Sequence, residues 1–225
     1  MPVVPPVDRV LRDAISIGVA TGIYAVSFGV LSVSAGFSLA QTCAMSLLTF
    51  TGASQFTFVS VVAGGGGAAA ALPPALLLAG RNAVYALSLK SVLRGRPLRR
   101  AVDAQLVIDE STAMAHAQAE PEAKRRAFRA TGLAVFVCWN LGTLIGALAG
   151  NGLGDPRDLG LDAIFPAVFL ALLAPQLRHP NASPAAVLGA LIAAVLIPFT
   201  PAGVPVMASV LAAVPFLLAR RRHRP

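Results

Sequence analysis

The residues best equipped for chemistry stand where so apolar a chain has least reason to put them. In "LTFTGASQFTFVS", Leu48 to Ser60, the positions Thr49, Thr51, Gly52, Ser54, Gln55 and Thr57 crowd together. Small residues have a simple use inside a bilayer, because Gly, Ala, Ser and Thr let helices approach closely. Gln55 asks for more. A primary amide carries two donors and two acceptor lone pairs, and leaving a buried one unpaired costs on the order of several kcal/mol. The combination predicts an interrupted helix lining a solute pathway. Backbone N–H groups freed at a half-helix N-terminus hold carboxylates well.

Three further stretches carry polar groups. In "GRNAVYALSLK", Arg81 is the single Asp, Glu, Lys, Arg or His between Asp13 and Lys90. An ionisable residue inside a membrane is by default a functional-site candidate, although Arg also snorkels to the interface. Its guanidinium matches a carboxylate in a bidentate fork, which suits the α-carboxylate of an amino acid. Tyr85 lies four residues on and shares that face, as a lining hydroxyl or an aromatic anchor. In "QLVIDESTAMAHA" and the residues just before it, Asp103, Asp109, Glu110 and His116 lie between two basic loops. On a solvated helix the carboxylates only balance nearby Lys and Arg. Tucked into a bundle, Asp109 or Glu110 would pair with Arg81, hold a substrate ammonium or carry a coupling charge. In "WNLGTLIG", Trp139 and Asn140 precede Gly142 and Gly146, a GxxxG packing signal. Asn140 needs a partner in lipid. Trp139 joins Phe28 and Phe56 as a candidate wall for an aliphatic side chain.

Several chemistries find no support. Gly64 to Gly67 is followed by no Lys-Ser/Thr pair, so it reads as a turn and not a phosphate loop. Cys43 and Cys138 lie in different apolar runs and read as small buried hydrophobes. No metal-ligand spacing or cofactor fingerprint is present, and no cofactor is expected. An intramembrane hydrolase would need His116 within hydrogen-bond reach of Ser46 or Ser54. A passive channel is the other alternative to a carrier.

The elements that position these residues are membrane helices. Of 225 residues, 56% are hydrophobic and 12% charged, about half the charged share of a soluble domain. The expected fold is an all-α polytopic bundle in one transport domain, 1–225. Seven spans are predicted at about 15–36, 39–63, 68–89, 130–150, 161–177, 184–199 and 203–219. Prolines in or beside the last three allow tilting or breaks. No signal peptide is read at the N-terminus.

The net charge of +8 comes from basic groups between spans, as in cytoplasmic loops, and not from a nucleic-acid surface. Placing the groups after Lys90, before Ala130, at Arg178 and at Arg220–Arg224 inside makes 90–129 a cytoplasmic connection. It puts the C-terminus inside and the N-terminus outside. The rival has eight spans, with 101–119 crossing. The halves 15–89 and 130–199 share a Gly-rich first helix and an Ala-x-Gln element (Ala53-Ser54-Gln55, Ala174-Pro175-Gln176). On the seven-span topology they form an inverted repeat, common in secondary transporters. The sequon at Asn181 then faces the cytoplasm.

"SFGVLSVSAGFSLAQTCAMSLLTFTGASQF", "RNAVYALSL", "DES" and "WNLGTLIG" occur in that order over most of 27–146. Together they resemble the AzlC-type branched-chain amino-acid permeases. The resemblance implies an inner-membrane exporter of branched-chain amino acids that works with a small membrane protein of the AzlD type. It departs at "AGRN", where Ala79 and Asn82 stand at the Asn and His expected around Arg81. The C-terminal spans add no motif. The residues expected to meet substrate are Thr51, Gly52, Ser54, Gln55, Arg81, Tyr85, Trp139 and Asn140, with Asp109 or Glu110 for charge coupling.

Overall fold

A computed structural model describes residues 7–152 and 182–216, with residues 167, 170, 173, 174, 177 and 178 between them. Most of the predicted span 161–177 lies outside the described residues. So do Pro175, Gln176, Asn181 and the terminal Arg220–Arg224.

The described chain is helical throughout. It comprises α1 (Val7–Ser34), α2 (Leu39–Leu48), α3 (Ala53–Ala63), α4 (Ala68–Ser88), α5 (Pro97–Gln105), α6 (Asp109–His116), α7 (Pro121–Gly152), α8 (Ala182–Leu196) and α9 (Val204–Ser209). A 3-10 turn, Val210–Ala213, follows α9. Two stretches, Asp8–Ser34 and Pro121–Gly150, are long and apolar enough to cross a membrane. Helix α4 reaches crossing length with 21 residues but carries Arg81 and Asn82.

The outer faces are apolar. Leu11, Ile15, Val19 and Ile23 form an exposed stripe on α1, and Leu133, Val137, Leu141, Ile145 and Leu148 one on α7. Polar residues lie inside instead, among them Ser32, Thr42, Ser46, Gln55, Thr131 and Thr143. Lipid solvates the apolar stripes, while the buried hydroxyls bond across helices, as between Ser32 and Thr42 at 2.8 Å.

Helices α1 and α7 form the central pair, and glycines set their approach. A Cβ on Gly18 would meet the Ala134 carbonyl at 2.9 Å, and one on Gly22 the Cys138 carbonyl at 2.8 Å. Gly142 and Gly146 lie against the Gly22 and Val26 carbonyls, and Gly150 against Val33. The GxxxG signal is thus a helix contact, as expected. The partners rise together in number, so the two helices are parallel. This corrects two expectations. The N-terminus lies at the same end as the basic segment 90–129. The first and fourth predicted spans are also not antiparallel, so they do not begin the halves of an inverted repeat. The glycine-rich stretches that suggested a repeat are the two surfaces of one interface.

The predicted single span 39–63 is the third correction. The chain descends in α2, turns at Thr49–Gly52 and climbs back in α3. Ser46 bonds Thr143 on the way down. Phe50 packs on Phe136 near the turn, and Phe58 meets Phe37 at the top again. Helices of 10 and 11 residues reach only about 15 Å each, half of the bilayer core. Gly52, at φ 63° and ψ −94°, takes a backbone conformation that L side chains rarely adopt. The predicted break exists, but it reverses the chain.

The predicted span 68–89 matches α4. Residues 101–119 do not cross: α5 and α6 fold against the lower half of α7. Asp103 accepts from Arg129 Nε at 2.9 Å and Nη2 at 2.6 Å, and Leu106 lies against Gly132. Helices α8 and α9 pack on each other, Gly189 facing Ser209 and Ala212. Gly203 seats the start of α9 on the Ala70 carbonyl of α4.

Candidate functional site

The site is built around the tip of the α2–α3 hairpin. Gln55 is 1% exposed, and its amide joins the two arms. Oε1 accepts from the Gly52 N–H at 3.1 Å, and Nε2 donates to the Met45 carbonyl at 2.9 Å. The amide thus satisfies the Gly52 N–H that the chain reversal leaves open and shares the Met45 carbonyl with the Thr49 N–H and Oγ1. Thr51 and Ser54 share a hydroxyl hydrogen bond. Trp139 closes over Gly52, where a Cβ would stand 3.7 Å from the indole.

Arg81 reaches the tip from α4. Its Nη2 donates to the Thr51 carbonyl at 3.4 Å, and its Nη1 pairs with Asp109 at 2.8 Å. By helix rise, Arg81 stands about 10 Å above the end of α4 at Ser88. Asp109 opens α6, so folding this segment against the bundle brings a carboxylate to the half-buried cation. Tyr85, Tyr24 and Glu110 lie within electrostatic reach of the pair. A second tether comes from Gln105, whose Nε2 donates to the Leu47 carbonyl at 2.8 Å.

Behind the tip, Tyr24, Phe28, Phe56 and Trp139 form an aromatic core. Tyr24 stacks on Phe56 at 4.8 Å and meets Trp139 edge-on at 5.5 Å. Phe28, Phe56 and Trp139 are buried against one another. They pack as part of the core. Beside the tip, α2, α3 and α4 line an open cavity of about 470 Å³. Phe37, Met45, Leu48, Phe58, Leu72 and Leu76 line it together with Thr51, Ser54 and Gln55, and its surface is almost wholly apolar.

The structure thus gathers Thr51, Gly52, Ser54, Gln55, Arg81, Tyr85, Asp109, Glu110 and Trp139 around one tip. Asn140 serves its own helix instead, donating to the Phe136 carbonyl at 2.8 Å. His116 pairs with Ser88 at 3.0 Å, while Ser46 bonds Thr143 and Ser54 bonds Thr51. The pairing of His116 with Ser46 or Ser54 that the hydrolase alternative requires is therefore not formed. Sequence reasoning passed over Tyr24. Its hydroxyl and the Trp139 indole nitrogen are buried without a hydrogen-bond partner among the described residues. A tyrosine within an apolar span was the available signal, since a buried phenol needs a partner. Gln105 gave no comparable sign in a polar segment. Among the described residues no cluster of His, Cys, Asp and Glu could hold a metal ion.

A helical bundle with apolar outer faces, buried hydroxyls and a charged pair at a re-entrant tip defines a multi-pass membrane protein. The AzlC protein family model matches residues 16–153, and the chain belongs to that family, membrane proteins of branched-chain amino-acid transport. A similar protein of Archaeoglobus fulgidus, an uncharacterized membrane protein, is 32% identical over 71% of each chain. An uncharacterized membrane protein of Helicobacter pylori is 26% identical over 76% of this chain and 75% of its own. Inner membrane protein YgaZ of Escherichia coli is 28% identical over 72% of this chain and 69% of its own. No solved structure matches.

Proposed function

We propose that this chain is a secondary transporter that exports branched-chain or similar small apolar amino acids across the inner membrane. One observation carries the reading: an apolar cavity of about 470 Å³ borders the Thr51–Ser54 tip, beside an arginine–carboxylate pair. That volume lies within the roughly 300–1,000 Å³ of small-molecule sites. An aliphatic side chain occupies the apolar walls. The α-carboxylate takes Arg81, displacing Asp109. The ammonium then faces the Asp109 and Glu110 carboxylates, so binding exchanges one ion pair for another without leaving a charge unpaired. Asp109, released from Arg81, is the group that couples substrate to charge movement.

The basic segment 90–129 and the N-terminus face the cytoplasm under the positive-inside rule. A small AzlD-type membrane protein works with this chain, as the family resemblance implies. The test is counter-flow of labelled leucine and valine in vesicles holding this chain, with and without that partner. Saturable exchange lost in Arg81→Ala supports the carrier. Conduction without saturation or counter-flow would make it a channel. Absence of leucine and valine flux even with the partner would refute the substrate assignment.

A further inference from the structure

We propose a second binding site, at the basic end of the molecule, that takes the phosphate headgroup of an anionic phospholipid. A cavity of about 590 Å³ opens between the end of α4 and helix α5. Lys90 and Arg100 face into it, and Ala86, Leu87, Leu93 and Pro97 complete its walls. No acidic side chain lines it.

Three of the surrounding cations are paired, whereas Arg94, Arg96 and Arg99 are unpaired among the described residues but do not line the cavity. Arg81 pairs with Asp109, Arg125 with Glu122 and Arg129 with Asp103. Among the described residues Lys90 and Arg100 have no such ion-pair partner. The surroundings select a lipid over a free anion. Leu98 is 79% exposed and Val102 57%, one turn apart on α5, and Leu87 at the cavity is 77% exposed. Apolar side chains this open beside two cations match the level where acyl chains meet headgroups.

Helix α5 is fixed to the bundle by the buried Asp103 carboxylate on Arg129, on the face next to Arg100. On this proposal the short helix lies along the membrane surface, with Arg100, Leu98 and Val102 towards lipid. An anionic lipid seated there bridges the end of α4, which carries Arg81, to the segment that carries Asp109.

The experiment is native mass spectrometry of the full chain in micelles holding equal amounts of phosphatidylglycerol and phosphatidylcholine. The wild-type chain is expected to retain phosphatidylglycerol preferentially. Lys90→Gln with Arg100→Gln is expected to weaken that retention about thirtyfold, a factor of about five for each cation near an anionic headgroup. Arg94→Gln with Arg99→Gln removes the same charge outside the cavity and is expected to keep the preference. Equal retention of both lipids by the wild type would overturn the proposal. So would an unchanged preference in the cavity variant, or an equal loss in the control. If inorganic phosphate alone binds and displaces the lipid, the site is one for the free anion and the lipid assignment falls.

Discussion

Replacing Gln55 by Leu tests the hairpin and the site together. The two side chains are close in size, so little cavity or overpacking energy is added. The loss is polar. The Gly52 N–H and the Met45 carbonyl, held at 3.1 and 2.9 Å, both lose the Gln55 amide. The Met45 carbonyl still accepts from the Thr49 N–H at 3.0 Å and Oγ1 at 2.7 Å, so only the Gly52 N–H is left unsatisfied, at a cost of about 1–3 kcal/mol. Intramembrane side-chain hydrogen bonds average only about 0.6 kcal/mol in double-mutant cycles, which sets a floor near 1 kcal/mol for the pair. The reporter is native. Trp139 is the single tryptophan, and its ring lies 6.3 Å from that of Phe56, next to Gln55 in the chain. Thermal unfolding in detergent, followed by Trp139 fluorescence, is expected to shift downward. Leucine counter-flow is expected to be lost while membrane insertion is kept. An unchanged unfolding midpoint with normal counter-flow would refute both the hairpin clamp and the role of the tip.

Arg129→Ala leaves Asp103, 3% exposed, as an uncompensated buried charge. It should cost about 3–5 kcal/mol, and Arg129→Leu with Asp103→Leu should recover most of it in chemical unfolding. Gly146→Leu forces a side chain against the Val26 carbonyl and should destabilise the α1–α7 pair by at least about 1–3 kcal/mol, read as a lower unfolding midpoint. Topology is checked with Cys43 and Cys138 replaced by Ala and single cysteines placed at Asp8, Ser91 and Gly65. An impermeant thiol reagent should treat Asp8→Cys and Ser91→Cys alike and Gly65→Cys oppositely; different labelling of the first two would contradict parallel α1 and α7.

The residues of the site were legible because each violates its surroundings. Gln55 is an amide in an apolar run, Arg81 an isolated charge, and Asp109 and Glu110 are carboxylates between basic loops. Such groups must find partners, and Arg81 found Asp109. The Asn140 amide nitrogen found its partner four residues back on its own helix. For Phe28, Phe56 and Trp139 the sequence left the role open, because apolar character does not distinguish a wall from a filled core. Tyr24 escaped notice because its hydroxyl is one polar atom among many apolar neighbours.

The sequence by itself determined the solvent of this protein, the helical class, the break near Gly52 and the glycine faces that pack. These follow from composition, from segment length against bilayer thickness and from local backbone freedom. Only the tertiary structure decided direction. A glycine break permits a helix to continue or to double back with equal local ease, and the choice rests on contacts distant in sequence: Gln55 on Met45, Phe58 on Phe37 and Ser46 on Thr143. Once α2 and α3 turn back on themselves, every later helix reverses its sense. That is why α7 runs parallel to α1 and why the N-terminus shares the basic end.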